Sequence, residues 1–479
     1  MQKTRIICTI GPATESYEML QKLYEAGMNI ARLNMSHGDH DSHAKVIHHI
    51  KTLNKKLKFP IAILLDTQGP AIRTGDLSNE LDLRQGAVVT VTTRGTTDVE
   101  ESSIHIDYAD LLEQVNVGDK ITVDNGLINF EVLEKTERHM RCRVVDGGRL
   151  KSKRHVNLPG IRVNLPAITQ KDTKDILFGL ERDVDFIALS FVREAEDVRR
   201  LKSLMGDRVG RVKAIAKIED QEGVRNLDEI IQEADGVMVA RGDLGVEINL
   251  EDLPNVQRTI VRKCAERGKR VIVATHLLES MINSPHPTRA EVTDVANAIY
   301  EEVDAVMLSG ETTVGKYPIK CVEYLCKIAL KSEAIPGLQF AKGLRDLGNK
   351  QQLAAAAVQL AEGIKAKGIV VITRRGLMAD FVSNCRSSST DVYAFTNMSQ
   401  PRRTMMLNRG VFPFKIDFSA DPEKTLQTAF RILKDREQFL VGDKVVIISD
   451  VLAQQRVDSI QIREIPSEEP ALEVQYRPS

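Results

Sequence analysis

The sequence lacks a charge excess, a cysteine framework and any long apolar run. Its 66 Lys and Arg against 67 Asp and Glu leave a net charge of −1 over 479 residues. No global field therefore recruits nucleic acid or an anionic membrane, and neither is expected as a partner. The six cysteines (8, 142, 264, 321, 326 and 385) are scattered, with no Cys-x-x-Cys pair. They read as reduced, buried, small apolar residues of a cytosolic protein rather than a disulfide scaffold. The apolar stretch near the N-terminus is too short for a signal peptide and is interrupted by Gly11-Pro12. No segment approaches the ~20 apolar residues that a spanning helix requires. The cytoplasm is the expected compartment.

What is present is the composition of a globular enzyme, with 42% apolar and 28% charged residues. The length predicts about three domains. Eight apolar runs, at 5–9, 29–33, 61–65, 186–190, 213–217, 236–240, 271–275 and 305–309, alternate with amphipathic stretches such as 17–25, 41–57, 171–180 and 253–267. Continuous rather than alternating hydrophobicity is what a strand covered on both faces requires. The pattern predicts an α/β fold, a (β/α)₈ TIM barrel. Arg32, Asn34, Ser36, Asp66, Lys217, Glu219, Asp243, Thr275 and Ser309 all fall at or just beyond strand C-terminal ends, the face that carries the active site in such barrels.

A segment of different texture, 70–166, interrupts the third and fourth units. It alternates with period two and is punctuated by Asn125-Gly126 and Gly147-Gly148, so it predicts a small β-barrel domain. Because it leaves from the catalytic end of a strand, a lid over the substrate is expected. The barrel then comprises 1–69 and 167–335, and 336–479 forms a C-terminal α/β domain.

Two segments carry most of the chemistry: Ala-Lys-Ile-Glu-Asp at 216–220 and Val-Ala-Arg-Gly-Asp-Leu-Gly-Val-Glu at 239–247. Lys217 and Glu219 would share a face if the strand extends that far. Glu219 and Asp243 can share a divalent cation, since Mg²⁺ takes one or two carboxylates plus water and substrate phosphate. Gly242 and Gly245 are expected to bracket a sharp turn that lets backbone N–H groups approach an anion. Arg32 and Arg73 can grip phosphate oxygens in bidentate fashion. Asn34, Ser36, Asp66 and Thr67 offer oxygens suited to a monovalent cation, although capping and turn chemistry favours the same residue types. Two patterns are set aside. Gly310 to Lys316 approximates a P-loop, but Tyr317 stands where a Ser or Thr is required. The histidines at 37, 40, 43, 48 and 49 read as a solvated helix face.

These motifs, with Thr9-Ile-Gly-Pro-Ala, Arg32-Leu-Asn-Met-Ser-His-Gly, Asp66-Thr-Gln-Gly-Pro, Asn157-Leu-Pro-Gly, Leu278-Glu-Ser-Met and Ser309-Gly-Glu-Thr, give a chain that resembles the pyruvate kinase family along almost its whole length. The resemblance implies phosphoryl transfer from phosphoenolpyruvate to ADP, giving pyruvate and ATP, in a homotetramer. It implies Mg²⁺ (or Mn²⁺) on Glu219 and Asp243, and K⁺ on Asn34, Ser36, Asp66 and Thr67. Lys217 would stabilise the transferring phosphoryl group and the enolate oxygen, and Arg32 would bind the substrate phosphate. Gly242, Asp243 and Thr275 would hold the substrate carboxylate. Arg73 and the stretch Asn34, Met35, Ser36 and His37 would border the nucleotide. No histidine is an obvious proton donor to the enolate, so a water relayed through Thr275 and Ser309 is expected. Rival readings are a Mg²⁺-dependent enolate lyase or aldolase and a non-catalytic regulatory paralogue.

The chain departs from the family pattern in places. Gln68 and Ala71 stand where many members have Lys and Glu, and the second position tracks K⁺ dependence. His276 replaces a usual Gln, and Arg154 replaces a lid Lys that reaches ATP. The Ser/Thr-rich effector cradle of sugar-phosphate-activated members reads Thr373-Arg-Arg-Gly here, and the loop 449–456 is also replaced. Fructose bisphosphate activation in the family's manner is therefore not implied.

Overall fold

The computed structural model describes residues 2–77, 79–93, 103–345, 348–449 and 459–467. Eight parallel strands, Arg5–Thr9, Ile30–Asn34, Ala62–Asp66, Phe186–Leu189, Lys213–Ile218, Gly236–Ala240, Arg270–Ala274 and Ala305–Leu308, form a closed barrel in sequence order. The eighth pairs back onto the first, with Arg5 opposite Ala305. Successive side chains point to opposite faces. Ile7, Ile30, Leu64, Phe186, Ile215 and Met307 fill the interior, while Ile6, Cys8, Ile63, Leu65, Ile187 and Val306 pack outward under the helices. This two-sided burial explains why the strands read as unbroken apolar runs. The same parity, carried two residues on, places Arg32, Asp66 and Lys217 on the inner face at the C-terminal mouth.

Most boundaries shift by about one residue from the sequence expectation, and two of the differences have an evident cause. The helix expected over 41–57 is His40–Leu53. It stops because the Asn54 side chain exchanges hydrogen bonds with the backbone of Ile61, accepting from its N–H at 2.8 Å and donating to its carbonyl at 2.9 Å. The seventh strand ends at Ala274, not at Thr275, which has φ of +67° and is followed by His276 at +54°.

The insertion forms a six-stranded sheet ordered Val156–Asn157, Lys120–Val123, Ile128–Lys135, His139–Asp146, Val88–Thr93, Ile104–Ile106. Its two edges are tied by a short segment: Arg73 bridges His155, and Thr74 bridges Ile106. The sheet thereby closes on itself around a core that includes Phe130, Val132, Met140 and Cys142. The turn expected at Gly147-Gly148 is not there: His139–Asp146 runs on into Gly148–Leu150, which pairs with Leu81–Leu83, and Gly147 is required because a Cβ there would lie 2.2 Å from the Leu83 carbonyl oxygen.

The C-terminal sheet has the order Val411–Lys415, Asp391–Thr396, Gly368–Ile372, Lys444–Ser449, Ser459–Glu464, with only the last strand antiparallel. Val411–Lys415 was not expected, because Pro413 breaks its pattern; it is an edge strand, where proline is tolerated. Residues 450–456 of the replaced loop lie outside the described residues. Arg374 and Arg375 are exposed.

This C-terminal unit docks on the N-terminal end of the barrel. Met406 and Leu407 enter the interior apolar cluster. Around them, Arg403 pairs with Asp185 at 2.7 Å and Asp183 at 2.8 Å, and Arg386 pairs with Asp304 at 2.7 Å. Arg270 approaches Asp304 at 3.3 Å. Burial opposes charge on Asp304, but Arg386 and then Arg270 outweigh it and hold the carboxyl below its ordinary range. Breaking one partner of such a pair leaves an uncompensated buried charge. Arg386→Ala is therefore expected to destabilise the protein by roughly 3–5 kcal/mol, read as a lower urea midpoint. An unchanged midpoint would rule out Arg386–Asp304 as a structural latch.

Candidate active site

At the C-terminal mouth, the second, third and fifth strands bring four charges together. Arg32 Nε donates to Asp66 Oδ2 at 2.6 Å, and its Nη1 donates to Thr9 Oγ1 at 2.9 Å. Lys217 Nζ lies 3.0 Å from both Asp66 Oδ1 and Glu219 Oε1, and donates to Ser190 Oγ at 2.7 Å. Glu219 Oε2 accepts the Phe191 N–H at 2.6 Å. Asp66 is 0% exposed, Glu219 2%, and Arg32 and Lys217 8% each. Charges are buried to this degree only when paired. Burial by itself would lower the Lys217 ammonium, but the carboxylates of Asp66 and Glu219 outweigh it and hold the lysine above its ordinary value. Burial likewise opposes the Asp66 charge, and Lys217 and Arg32 overcome it.

The sixth strand leads directly into the short helix Arg241–Glu247. The sharp turn expected from the two glycines is not there, and neither Gly242 nor Gly245 has positive φ. The turn lies instead at the end of the seventh strand. Arg241 fixes it, donating from Nη2 to the Thr275 carbonyl at 2.6 Å, with Nη1 on Asp294 at 2.8 Å. The Gly242 N–H donates to Thr275 Oγ1 at 2.8 Å, and that hydroxyl donates to the Ala274 carbonyl at 2.7 Å. Gly242, Asp243 and Thr275 are thus brought together. The far end of the helix meets the inserted sheet, where Asn157 Nδ2 donates to Glu247 Oε1 at 2.9 Å. Burial pushes the Glu247 carboxyl up to about 7.

A cleft of ≈ 420 Å³ opens above this cluster. Of the residues singled out in the sequence, Arg32, Asn34, Ser36, His37, Thr67, Arg73, Lys217, Glu219 and Asp243 line it. Asp66 lies beneath, facing both cations. Met35 is buried, its backbone held by Asp66 and by Lys171, whose Nζ donates to the Met35 carbonyl at 2.6 Å. Ser309 lies just beyond the eighth strand, which ends at Leu308; its hydroxyl is buried and unpaired, while its N–H donates to Glu311 at 2.8 Å. Among the five histidines, His43 is an exception to the solvated face; it is buried, with Nε2 2.9 Å from the His37 carbonyl oxygen.

The sequence reading missed several residues here. Ser190 and Phe191 carried a usable signal, since they follow the fourth strand at the same end as the others. His155 carried none. It comes from the inserted domain, and only folding sets its Nδ1 3.9 Å from Asp243 Oδ1.

The donor set suits a hard divalent cation. Among the described residues no group of three or more Asp, Glu, His or Cys side chains forms a metal cage, so the protein can supply Glu219 and Asp243 while water and substrate complete the shell. Burial raises both carboxyls above their ordinary range, and Asp243 adds to the shift of Glu219 by repulsion. A cation held between them relieves both penalties.

Residues 1–322 match the family pattern described as pyruvate kinase, barrel domain, and residues 351–462 match pyruvate kinase, alpha/beta domain. The chain is 42% identical over 477 residues to plastidial pyruvate kinase 2 of Arabidopsis thaliana, covering 97% of this chain and 81% of that one. It is 41% identical over 464 residues to pyruvate kinase of Dictyostelium discoideum (94% and 91%), and 40% identical over 457 residues to that of Clostridium perfringens (93% and 96%). With the barrel, the inserted sheet and the C-terminal unit all accounted for, the chain belongs to the pyruvate kinase family.

Proposed function

We propose that the chain transfers the phosphoryl group of phosphoenolpyruvate to ADP, releasing pyruvate and ATP, as the last step of glycolysis. The observation that carries this reading is Lys217. It is a buried ammonium held between two carboxylates at the barrel mouth, beside a carboxylate pair suited to a divalent cation. Phosphoryl transfer leaves little covalent chemistry to the protein, so catalysis is positioning plus charge stabilisation.

In this reading Glu219 and Asp243 hold Mg²⁺ or Mn²⁺, which when bound neutralises charge on the transferring phosphoryl group. Arg32 grips the substrate phosphate from the opposite wall. The Gly242 and Asp243 backbone with Thr275 receives the carboxylate. Arg73 and the loop Asn34, Met35, Ser36 and His37 border the nucleotide. Because Lys217 is held above its ordinary value, it stays an ammonium through the neutral range and serves as a fixed charge rather than a proton carrier. As the P–O bond to the enol oxygen breaks, Lys217 meets the charge left on the enolate. C3 of the enolate then takes a proton from water ordered by the hydroxyls of Thr275 and Ser309. Asn34, Ser36 and Thr67, with Asp66 beneath them, offer three neutral oxygens and one carboxylate, a set suited to K⁺. We take 1–69 with 167–335 as the barrel, 70–166 as the lid and 336–479 as the C-terminal domain, in a cytoplasmic homotetramer.

The coupled assay with phosphoenolpyruvate, ADP and Mg²⁺ tests the reaction directly. Lys217→Met is expected to keep Mn²⁺ and phosphoenolpyruvate binding while losing on the order of 10²–10³ in kcat; near-normal turnover would refute its role. Thr275→Ala should slow exchange of solvent protons into C3 of pyruvate more than it slows phosphoryl transfer, and an equal loss in both would remove it from the proton path. Replacing a large organic cation by K⁺ at constant ionic strength is expected to raise turnover, despite Ala71. No response to KCl would discard the four-oxygen site.

A further inference from the structure

The lid's return strand and the two metal-ligand loops meet at one residue. His155 and Asn157 lie two positions apart and so share a strand face. His155 stands at the Asp243 end of the helix Arg241–Glu247, with Nδ1 3.9 Å from Asp243 Oδ1. Asn157 stands at its other end, donating Nδ2 to Glu247 Oε1 at 2.9 Å. The inserted domain is thus bonded to one end of this seven-residue helix and lies beside the other. A third element reaches the same point: Gln221, two residues after Glu219, donates its Nε2 to the Glu247 carbonyl at 2.6 Å. Asn157 is 4% exposed and Glu247 8%, so water does not readily substitute for these bonds. Glu247 touches none of the reacting groups, yet lid, fifth-strand loop and sixth-strand helix are all bonded to it.

We infer that Glu247 is a positioning residue that couples the seating of the lid to the spacing of the Glu219 and Asp243 carboxylates. A lid that swings must pull on Asn157. The Asn157–Glu247 bond passes that pull to the helix bearing Asp243, and the Gln221 bond holds the helix in step with Glu219. Closure of the lid over a nucleotide and tightening of the cation site then become one event. This rests on the reading of Glu219 and Asp243 as the ligands of the divalent cation.

The test uses the full-length protein without substrates. Mn²⁺ affinity is measured by electron paramagnetic resonance, and hydrogen exchange is followed in the lid's return segment, 153–158. Direct partners of a metal's ligands typically change affinity about 10–100-fold when removed; Glu247 acts through the helix that bears Asp243, so Glu247→Ala should weaken Mn²⁺ by about tenfold, the lower end of that range. It should also speed exchange in 153–158. Glu247→Gln keeps an acceptor oxygen for Asn157 and should restore both. Asn157→Ala should reproduce the Ala phenotype, and the double variant should be no worse than either single one. If Glu247→Ala does not fold, Asn157→Ala decides the matter. Faster exchange with wild-type Mn²⁺ affinity would overturn the coupling, as would additive losses in the double variant. Glu219→Gln in the same titration isolates the underlying assignment: undiminished Mn²⁺ affinity there would reject the ligand pair, leaving the lid–helix bond to be judged by exchange alone.

Discussion

The structure turns on a buried knot of charge: Arg32 and Lys217 against Asp66 and Glu219, at contacts of 2.6 to 3.0 Å and nearly without solvent. Each of these groups would cost several kcal/mol to bury unpaired. They are tolerable only together, and together they require the second, third and fifth strands to stand around one axis. Barrel closure is what brings them there. The arrangement also sets the chemistry. Asp66 is shared by both cations, which fixes Lys217 Nζ at the mouth instead of leaving a flexible amine in solvent. The cluster holds a positive charge in place before any substrate arrives, and preorganised charge is the main catalytic resource in phosphoryl transfer.

The two ends of the barrel are treated oppositely. At the N-terminal end the apolar interior is stoppered by Met406 and Leu407 and ringed by arginine–aspartate pairs that bind the C-terminal unit. At the C-terminal end the interior stays polar and the inserted sheet lines the cleft above it. Strand parity makes this economical. The inward face that carries Ile30, Leu64 and Ile215 in the core carries Arg32, Asp66 and Lys217 one step higher. The core that stabilises the barrel is therefore also the base on which the reactive groups stand.

Much of this could be read along the chain. Apolar runs of strand length, polar residues at their ends and a period-two insertion gave the architecture. The motif residues around 32, 66, 217 and 243 gave most of the cleft lining. The differences have identifiable causes. The apolar run before Thr275 predicts strand there, but Arg241, far away in sequence, pulls the chain into a left-handed turn. Gly242 and Gly245 suggested a turn where a helix forms. Pro413 hid an edge strand. His43 looked like its polar neighbours, yet it faces inward to bond the His37 carbonyl.

The sequence by itself determined the elements, the face each side chain takes and the types of charge delivered to the barrel mouth, because these depend on periodicity and on residue chemistry within a few positions. Only the tertiary structure decided which charges neutralise one another, that His155 and Asn157 reach the helix Arg241–Glu247 from the inserted sheet, and that Glu247 joins three separate segments. Those facts depend on distances between residues far apart along the chain, 90 positions for Asn157 and Glu247 and 151 for Asp66 and Lys217. Such distances are set by barrel closure and by the docking of the insertion, and no local pattern encodes them.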